Sequence, residues 1–103
     1  MHLNLSNNQI GPEGMKDLAE TLSQRGFGHL NYLNLRWNEI GAEGMKAFSE
    51  ALSKGALHNL SYLDLGYNSI DDEGMRVFAE AISKGAMNKL KDCLLYTSPS
   101  PRD

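Results

Sequence analysis

Three histidines, a single cysteine, a run of three carboxylates and a small set of aromatics are where this 103-residue chain could do chemistry. His2, His29 and His58 would have to converge to hold a metal or to pair as acid and base. The chain repeats every thirty residues, and in that frame the three histidines fall in distant, non-equivalent contexts, so they are read as solvent-facing or loop residues. Asp71-Asp72-Glu73 has the acidity of a calcium loop without its alternating ligand spacing. At the start of a helix, those charges complement the helix dipole instead. Cys93 is a lone nucleophile with no partner motif, and the chain has no Walker loop, nucleophile elbow or paired-cysteine zinc motif. No catalytic residue, metal site, cofactor or small-molecule substrate is therefore expected, and the chain is not read as an enzyme. What remains is contact chemistry. Tyr32, Arg36, Trp37, Tyr62 and Tyr67 are of the types that combine a large contact area with a polar handle and dominate binding hot spots.

The composition narrows the partners. The net charge is -3 with both signs interspersed, and no segment collects the Lys and Arg that phosphate binding requires, so nucleic acid is not expected. Arg25, Lys54 and Lys84 could assemble a basic patch in three dimensions only. No run approaches the roughly 20 apolar residues that span a bilayer, and the start, Met1-His2-Leu3-Asn4-Leu5, lacks a signal design. One cysteine cannot form an internal disulfide, which leans toward a reducing, cytoplasmic setting. The sequons at Asn4 and Asn59 would matter only in a secreted protein.

The elements that must position these residues follow from the repeat. Leu3, Leu5, Asn8, Ile10, Gly14 and Met15 return as Leu33, Leu35, Asn38, Ile40, Gly44 and Met45, and again as Leu63, Leu65, Asn68, Ile70, Gly74 and Met75. A fixed period of this kind means stacked copies of one supersecondary unit. Within the second copy, Leu33 and Leu35 alternate with Tyr32, Asn34 and Arg36, which predicts a short strand with one buried face. A turn follows at Trp37-Asn38-Glu39-Ile40-Gly41. The segment from Ala42 to Lys54 then places Met45, Phe48 and Leu52 at helical spacing.

Gly55 and Gly85 supply left-handed helix stops, and Arg25-Gly26 does so one residue later in the frame. Pro12 suits a first helical position, Glu13, Glu43 and Glu73 fall in first turns, and Glu50 to Lys54 has the favourable orientation for a helix-surface pair. Strand, turn and helix recurring in this order stack into a parallel sheet with the helices outside. Strands pack about 4.8 Å apart and helices about 8 to 10 Å, so the helical side is the longer arc and the inner sheet face stays open.

The pattern Leu30-x-x-Leu33-x-Leu35-x-x-Asn38-x-Ile40 followed by an amphipathic helix resembles the leucine-rich repeat. Its long helical segment and Gly44-Met45 helix start are similar to the ribonuclease-inhibitor-like class. The resemblance implies an α/β solenoid, a horseshoe segment with a parallel sheet on the concave face, whose inner face binds other proteins. It also implies a structural ladder of Asn8, Asn38 and Asn68 that satisfies backbone groups in the turns. Alternation then puts on the open face His2, Asn4, Ser6 and Asn7 from the first unit, Tyr32, Asn34, Arg36 and Trp37 from the second, and Tyr62, Asp64, Gly66 and Tyr67 from the third.

A partner-binding set of Tyr32, Asn34, Arg36, Trp37, Tyr62, Asp64 and Tyr67 is expected, and the partner is a protein. The competing reading is that the aromatics pair across strands to steady the sheet, with Arg36 stacked on Trp37. The resemblance also admits a Ran-type GTPase-activating segment, although neither Arg25 nor Arg36 matches that family's active segment residue by residue. It admits the sensor repeats of a NOD-like receptor as well.

Residues 1–92 are read as three leucine-rich units without caps, a fragment of a longer array. The frame asks for Asn at position 98 and Ile at 100 but meets Ser98 and Ser100 between prolines. Cys93-Leu94-Leu95-Tyr96-Thr97-Ser98-Pro99-Ser100-Pro101-Arg102-Asp103 resembles the translation of a transposase mosaic-end sequencing adapter. Residues 93–103 are accordingly expected to be a foreign tail. By accident Cys93 and Leu95 fit inward strand positions, so a false fourth strand beside Leu63 to Leu65, fading before Pro99, is expected.

Overall fold

The structure, a computed structural model, describes residues 1–25, 27–85 and 89–94. The order is β1 (His2–Asn4), α1 (Gly11–Arg25), β2 (Tyr32–Asn34), α2 (Gly41–Ser53), β3 (Tyr62–Asp64), α3 (Asp72–Ser83) and β4 (Asp92–Leu94). The four strands form one parallel sheet in the order β1-β2-β3-β4. The register equals the sequence repeat: Leu3 lies opposite Leu33, Leu33 opposite Leu63, and Leu63 opposite Cys93. The fourth strand thus forms where the inward position of Cys93 placed it, and the rest of the proposed foreign tail, residues 95–103, lies outside the described residues.

The core is the inward column of each strand packed on one helix face. Leu33, Leu35, Ile40, Met45, Phe48 and Leu52 of the second unit are essentially inaccessible to solvent. Their counterparts at the open end, Leu3, Leu5 and Ile10, are only half-buried, because burial is supplied by the units on either side. Gly44 shows how tight that stacking is. A Cβ there would stand 2.6 Å from Cγ2 of Ile40 and 3.2 Å from Cβ of Met15, which lies on the preceding helix. The recurring Gly-Met pair is therefore one packing device: the glycine admits the neighbour's methionine.

The helix ends follow the expected chemistry with two differences. Gly55 and Gly85 adopt left-handed φ values of 81° and 87°, and the Gly55 N–H donates to the Leu52 carbonyl at 2.9 Å. Gly26 lies outside the described residues. At the helix starts, Gly11 and Gly41 are left-handed and donate to the next unit's ladder asparagines, Gly11 to the Asn38 carbonyl and Gly41 to the Asn68 carbonyl. Asp71 holds the same repeat position in an extended conformation, and its carboxylate accepts from Gly74 N–H at 3.0 Å as a helix N-cap.

The Glu50–Lys54 pair is absent from the ion pairs of the described residues. Lys54 is the C-cap of α2, past the last helical residue, so it no longer projects along the row of Glu50. The helix surfaces instead carry Glu13–Lys16, Glu43–Lys46 and Glu73–Arg76, all three residues apart. The shortest, Glu73–Arg76 at 2.6 Å, holds the Glu73 carboxyl below its ordinary range and the Arg76 guanidinium above its own.

Candidate functional site

Each unit leaves its strand through a turn with two left-handed residues. Asn7 and Gln9, Trp37 and Glu39, and Tyr67 and Ser69 all have φ between 52° and 62°. Non-glycine residues avoid this region unless their surroundings hold them there. The asparagines between them do the holding. Oδ1 of Asn38 accepts from the N–H of Asn8 at 2.8 Å and of Ile10 at 3.3 Å, while its Nδ2 donates to the carbonyls of Leu5 and Leu35. Asn68 repeats the arrangement one unit on, accepting from Asn38 at 2.7 Å and from Ile40 at 3.4 Å. Asn8 donates to Leu5 and Ser6 within its own turn. This ladder turns Trp37 and Tyr67 outward on a fixed backbone.

A second column runs beside it that the sequence reading did not separate from the contact residues. Oδ1 of Asn4 accepts from Ser6 N–H, that of Asn34 from Arg36 N–H, and that of Asp64 from Gly66 N–H, at 2.9 to 3.0 Å. These are Asx turns, in which the side chain replaces a backbone acceptor as the strand ends. The recurrence of Asn, Asn and Asp at one repeat position was the available signal. Asn34 is half-buried in this role. Asp64 is corrected more strongly: it shares the sheet face but is only 2 % exposed. Its strand is flanked by β2 and β4, and its other oxygen accepts from Nη1 of Arg36 at 3.3 Å. A buried carboxylate is tolerable because both oxygens are engaged, so Asp64 anchors Arg36 and is not itself a contact surface.

The aromatics form two stacks that cross the strands. His2, Tyr32 and Tyr62 follow one another at centroid distances of 4.8 and 4.4 Å. Trp37 lies on Tyr67 at 4.4 Å with the ring planes 5° apart. The guanidinium of Arg36 sits 5.1 Å over the Tyr67 ring, reaching into the third unit. Gly66, with no side chain, occupies in that unit the position Arg36 holds in its own. Desolvation pushes the Tyr62 phenol above its ordinary value, with the Asp64 carboxylate and Tyr32 adding to the effect. Tyr32, Arg36, Tyr62 and Tyr67 are half-buried, while Trp37 is 50 % exposed and stands furthest out. The cross-strand pairing thus lies on the open sheet face.

The other candidates do not converge. His29 and His58 are exposed at the loop edge, His58 packing over Gly28 with Nδ1 3.3 Å from the Gly55 carbonyl oxygen. Among the described residues no group of three or more His, Cys, Asp or Glu could hold a metal ion. The side chain of Arg25 is outside the described set, and Lys54 and Lys84 are exposed. The amide of Asn59 is engaged on both sides, donating to the Gly28 carbonyl at 2.7 Å and accepting from Lys89 at 3.0 Å. Burial, aided by the Asp64 carboxylate, pushes the Cys93 thiol up to about 11. A groove of about 950 Å³ runs over the helical side, where lysines 16, 46, 54 and 84 interleave with glutamates 20, 43, 50 and 80. Its lining is neutral in sum and brings together no set of polar groups around one point, so the sheet face is the better defined surface.

A parallel solenoid of strand, turn and helix, with an asparagine ladder and an uncovered sheet face, is the class this geometry defines. The family described as Leucine Rich repeat matches residues 1–19, 29–49 and 56–79, more than half of the chain. The chain belongs to the leucine-rich repeat family. Such repeats generally serve as protein–protein interaction modules. No curated protein matches the chain. Among the described residues no helix is long and apolar enough to cross a membrane.

Proposed function

We propose that the chain is a protein-binding module whose working surface is the open sheet face, centred on Tyr32, Arg36, Trp37, Tyr62 and Tyr67. The observation that carries this reading is the pair of aromatic stacks on one rigid face, ending in a Trp37 that is half exposed. Aromatic rings fixed by cross-strand stacking lose little conformational entropy when a partner covers them, so their contact area is used efficiently. Asn34 and Asp64 support that surface through Asx turns, and Asn8, Asn38 and Asn68 fix the turns beneath it. The helices of 15, 13 and 12 residues favour the ribonuclease-inhibitor-like class, and the setting we propose is cytoplasmic. The module is read over residues 1–92, with 93–103 of foreign origin. Sequencing the gene through the codons for Lys84 to Asp92 tests that boundary.

The functional test is capture. Immobilised wild-type protein should retain a partner that the Trp37→Ala, Tyr67→Ala double variant loses, with circular dichroism unchanged. Equal capture by the variant rejects the surface.

A further inference from the structure

Among the described residues Trp37 is stacked on one side only. Tyr67 of the third unit covers one indole face at 4.4 Å, and the other face looks back toward the first unit, where the equivalent position is Asn7 and no ring continues the stack. Among the aromatic rings an indole face is the strongest cation acceptor. What borders this one is electrostatically one-sided. Residues 1–12 contain no Lys, Arg, Asp or Glu, so no side-chain charge from the first strand and turn competes for the slot, apart from any protonated His2 at the far end of that strand. Arg36, the nearest cation in sequence, is drawn the opposite way, onto Asp64 and the Tyr67 ring. Glu39, exposed and in the same turn two residues beyond Trp37, forms no ion pair among the described residues.

We infer that the open face of Trp37 receives a basic side chain, arginine or lysine, from the protein partner, with Glu39 as its counter-charge and the Asn7 amide beside it. This rests on the sheet face being the binding surface and assigns the chemistry of its central contact. A guanidinium laid flat on the indole would continue the stack for one more layer. An acidic side chain there would meet the negative ring face and Glu39 together. A neutral apolar side chain would gain area but leave Glu39 uncompensated.

Trp37 is the single tryptophan of the chain, so its emission reports on this slot alone. Fluorescein-labelled hexa-arginine, hexa-glutamate and a glycine-serine hexapeptide are titrated at constant ionic strength, following labelled-peptide anisotropy, with unlabelled peptides used for Trp37 emission. Hexa-arginine should change Trp37 emission saturably while the other two do not. By anisotropy, Trp37→Leu should weaken its binding about five-fold and Glu39→Gln about three-fold. Glu50→Gln, which removes the same charge from the helical side, should leave it unchanged.

Equal weakening by Glu39→Gln and Glu50→Gln would mean attraction to net charge alone and would overturn the inference. So would undiminished binding by Trp37→Leu, or a peptide-free concentration dependence of Trp37 emission that marks a second copy in the slot. Should Trp37→Leu fail to fold, the Glu39 and Glu50 comparison still decides. If hexa-glutamate or the neutral peptide binds Trp37 as well as hexa-arginine does, the cationic assignment falls while the binding face stands. The face itself fails only through the capture test.

Discussion

Asn38 is inaccessible to solvent, and its amide holds backbone groups from its own turn and the one before it. Truncation to alanine would strand the N–H of Asn8 and Ile10, each costing about 1–3 kcal/mol where water cannot replace the partner, while the Leu5 and Leu35 carbonyls keep donors in Asn8 and Asn68. Asn38→Ala should therefore lose about 3 kcal/mol in urea unfolding, whereas Asn8→Ala, exposed at the end of the stack, should lose about 1 kcal/mol or less. Equal losses would mean that the ladder's burial gradient has no energetic meaning. The left-handed turn residues make a prediction of opposite sign. Ser69, at φ 56°, is exposed, and glycine relieves the Cβ strain there, so Ser69→Gly should leave stability unchanged or raise it by up to about 1 kcal/mol. The ladder asparagines were legible because they recur in phase and lie between a leucine and an isoleucine. The Asx column was not, since alternation tells only which face a residue occupies, and Asp64 was counted as a contact when its carboxylate is spent on Gly66 and Arg36.

At the scale of elements, the helix-to-helix spacing is set by glycine. Gly14 and Gly44 occupy equivalent positions, yet an added Cβ at Gly14 would meet only the half-buried Ile10, while at Gly44 it would meet the fully buried Ile40 and Met15 of α1. Overpacking of this kind costs about 1–3 kcal/mol, against a gain of about 1 kcal/mol in helix propensity. Gly44→Ala should thus destabilise by up to about 2 kcal/mol, and Gly14→Ala should be near neutral, as read from denaturant midpoints. Strand positions, helix faces and glycine stops could be read from periodicity because each repeats a local rule. The helix-surface pairs could not. The favourable four-residue pairing of Glu50 with Lys54 assumed a helix one residue longer than α2, and pairs three residues apart formed at the opposite end of each helix. β4 belongs to the same lesson: Cys93 falls in phase with the inward leucines and pairs opposite Leu63. Burial, pushing its thiol up to about 11, leaves about 100-fold less thiolate at pH 8 than an ordinary cysteine. Iodoacetamide should accordingly label Cys93 about 100-fold more slowly in the folded than in the urea-unfolded chain.

The whole molecule is a line of neighbours. α1 packs on α2 and α2 on α3, each strand pairs with the next, and among the described residues α1 and α3 share no contact. In such an array stability is a sum of unit terms and interface terms, and the middle unit takes part in both helix interfaces. The effect of a core mutation therefore depends on its place in the line as well as on the volume removed. Phe48, fully buried in α2, belongs to the core cluster that runs through all three units. Phe48→Ala removes about 3–5 kcal/mol and should lower amide hydrogen-exchange protection in α1, α2 and α3 together. Leu18, half-buried on the outer unit, has one neighbour to lose. Leu18→Ala should open α1 while α3 keeps its protection. Uniform loss of protection in both variants would show a single closed core instead of a linear array. The sheet face would then owe its rigidity to the molecule as a whole, and not chiefly to the contact between the second and third units, where Tyr32 meets Tyr62 and Trp37 meets Tyr67.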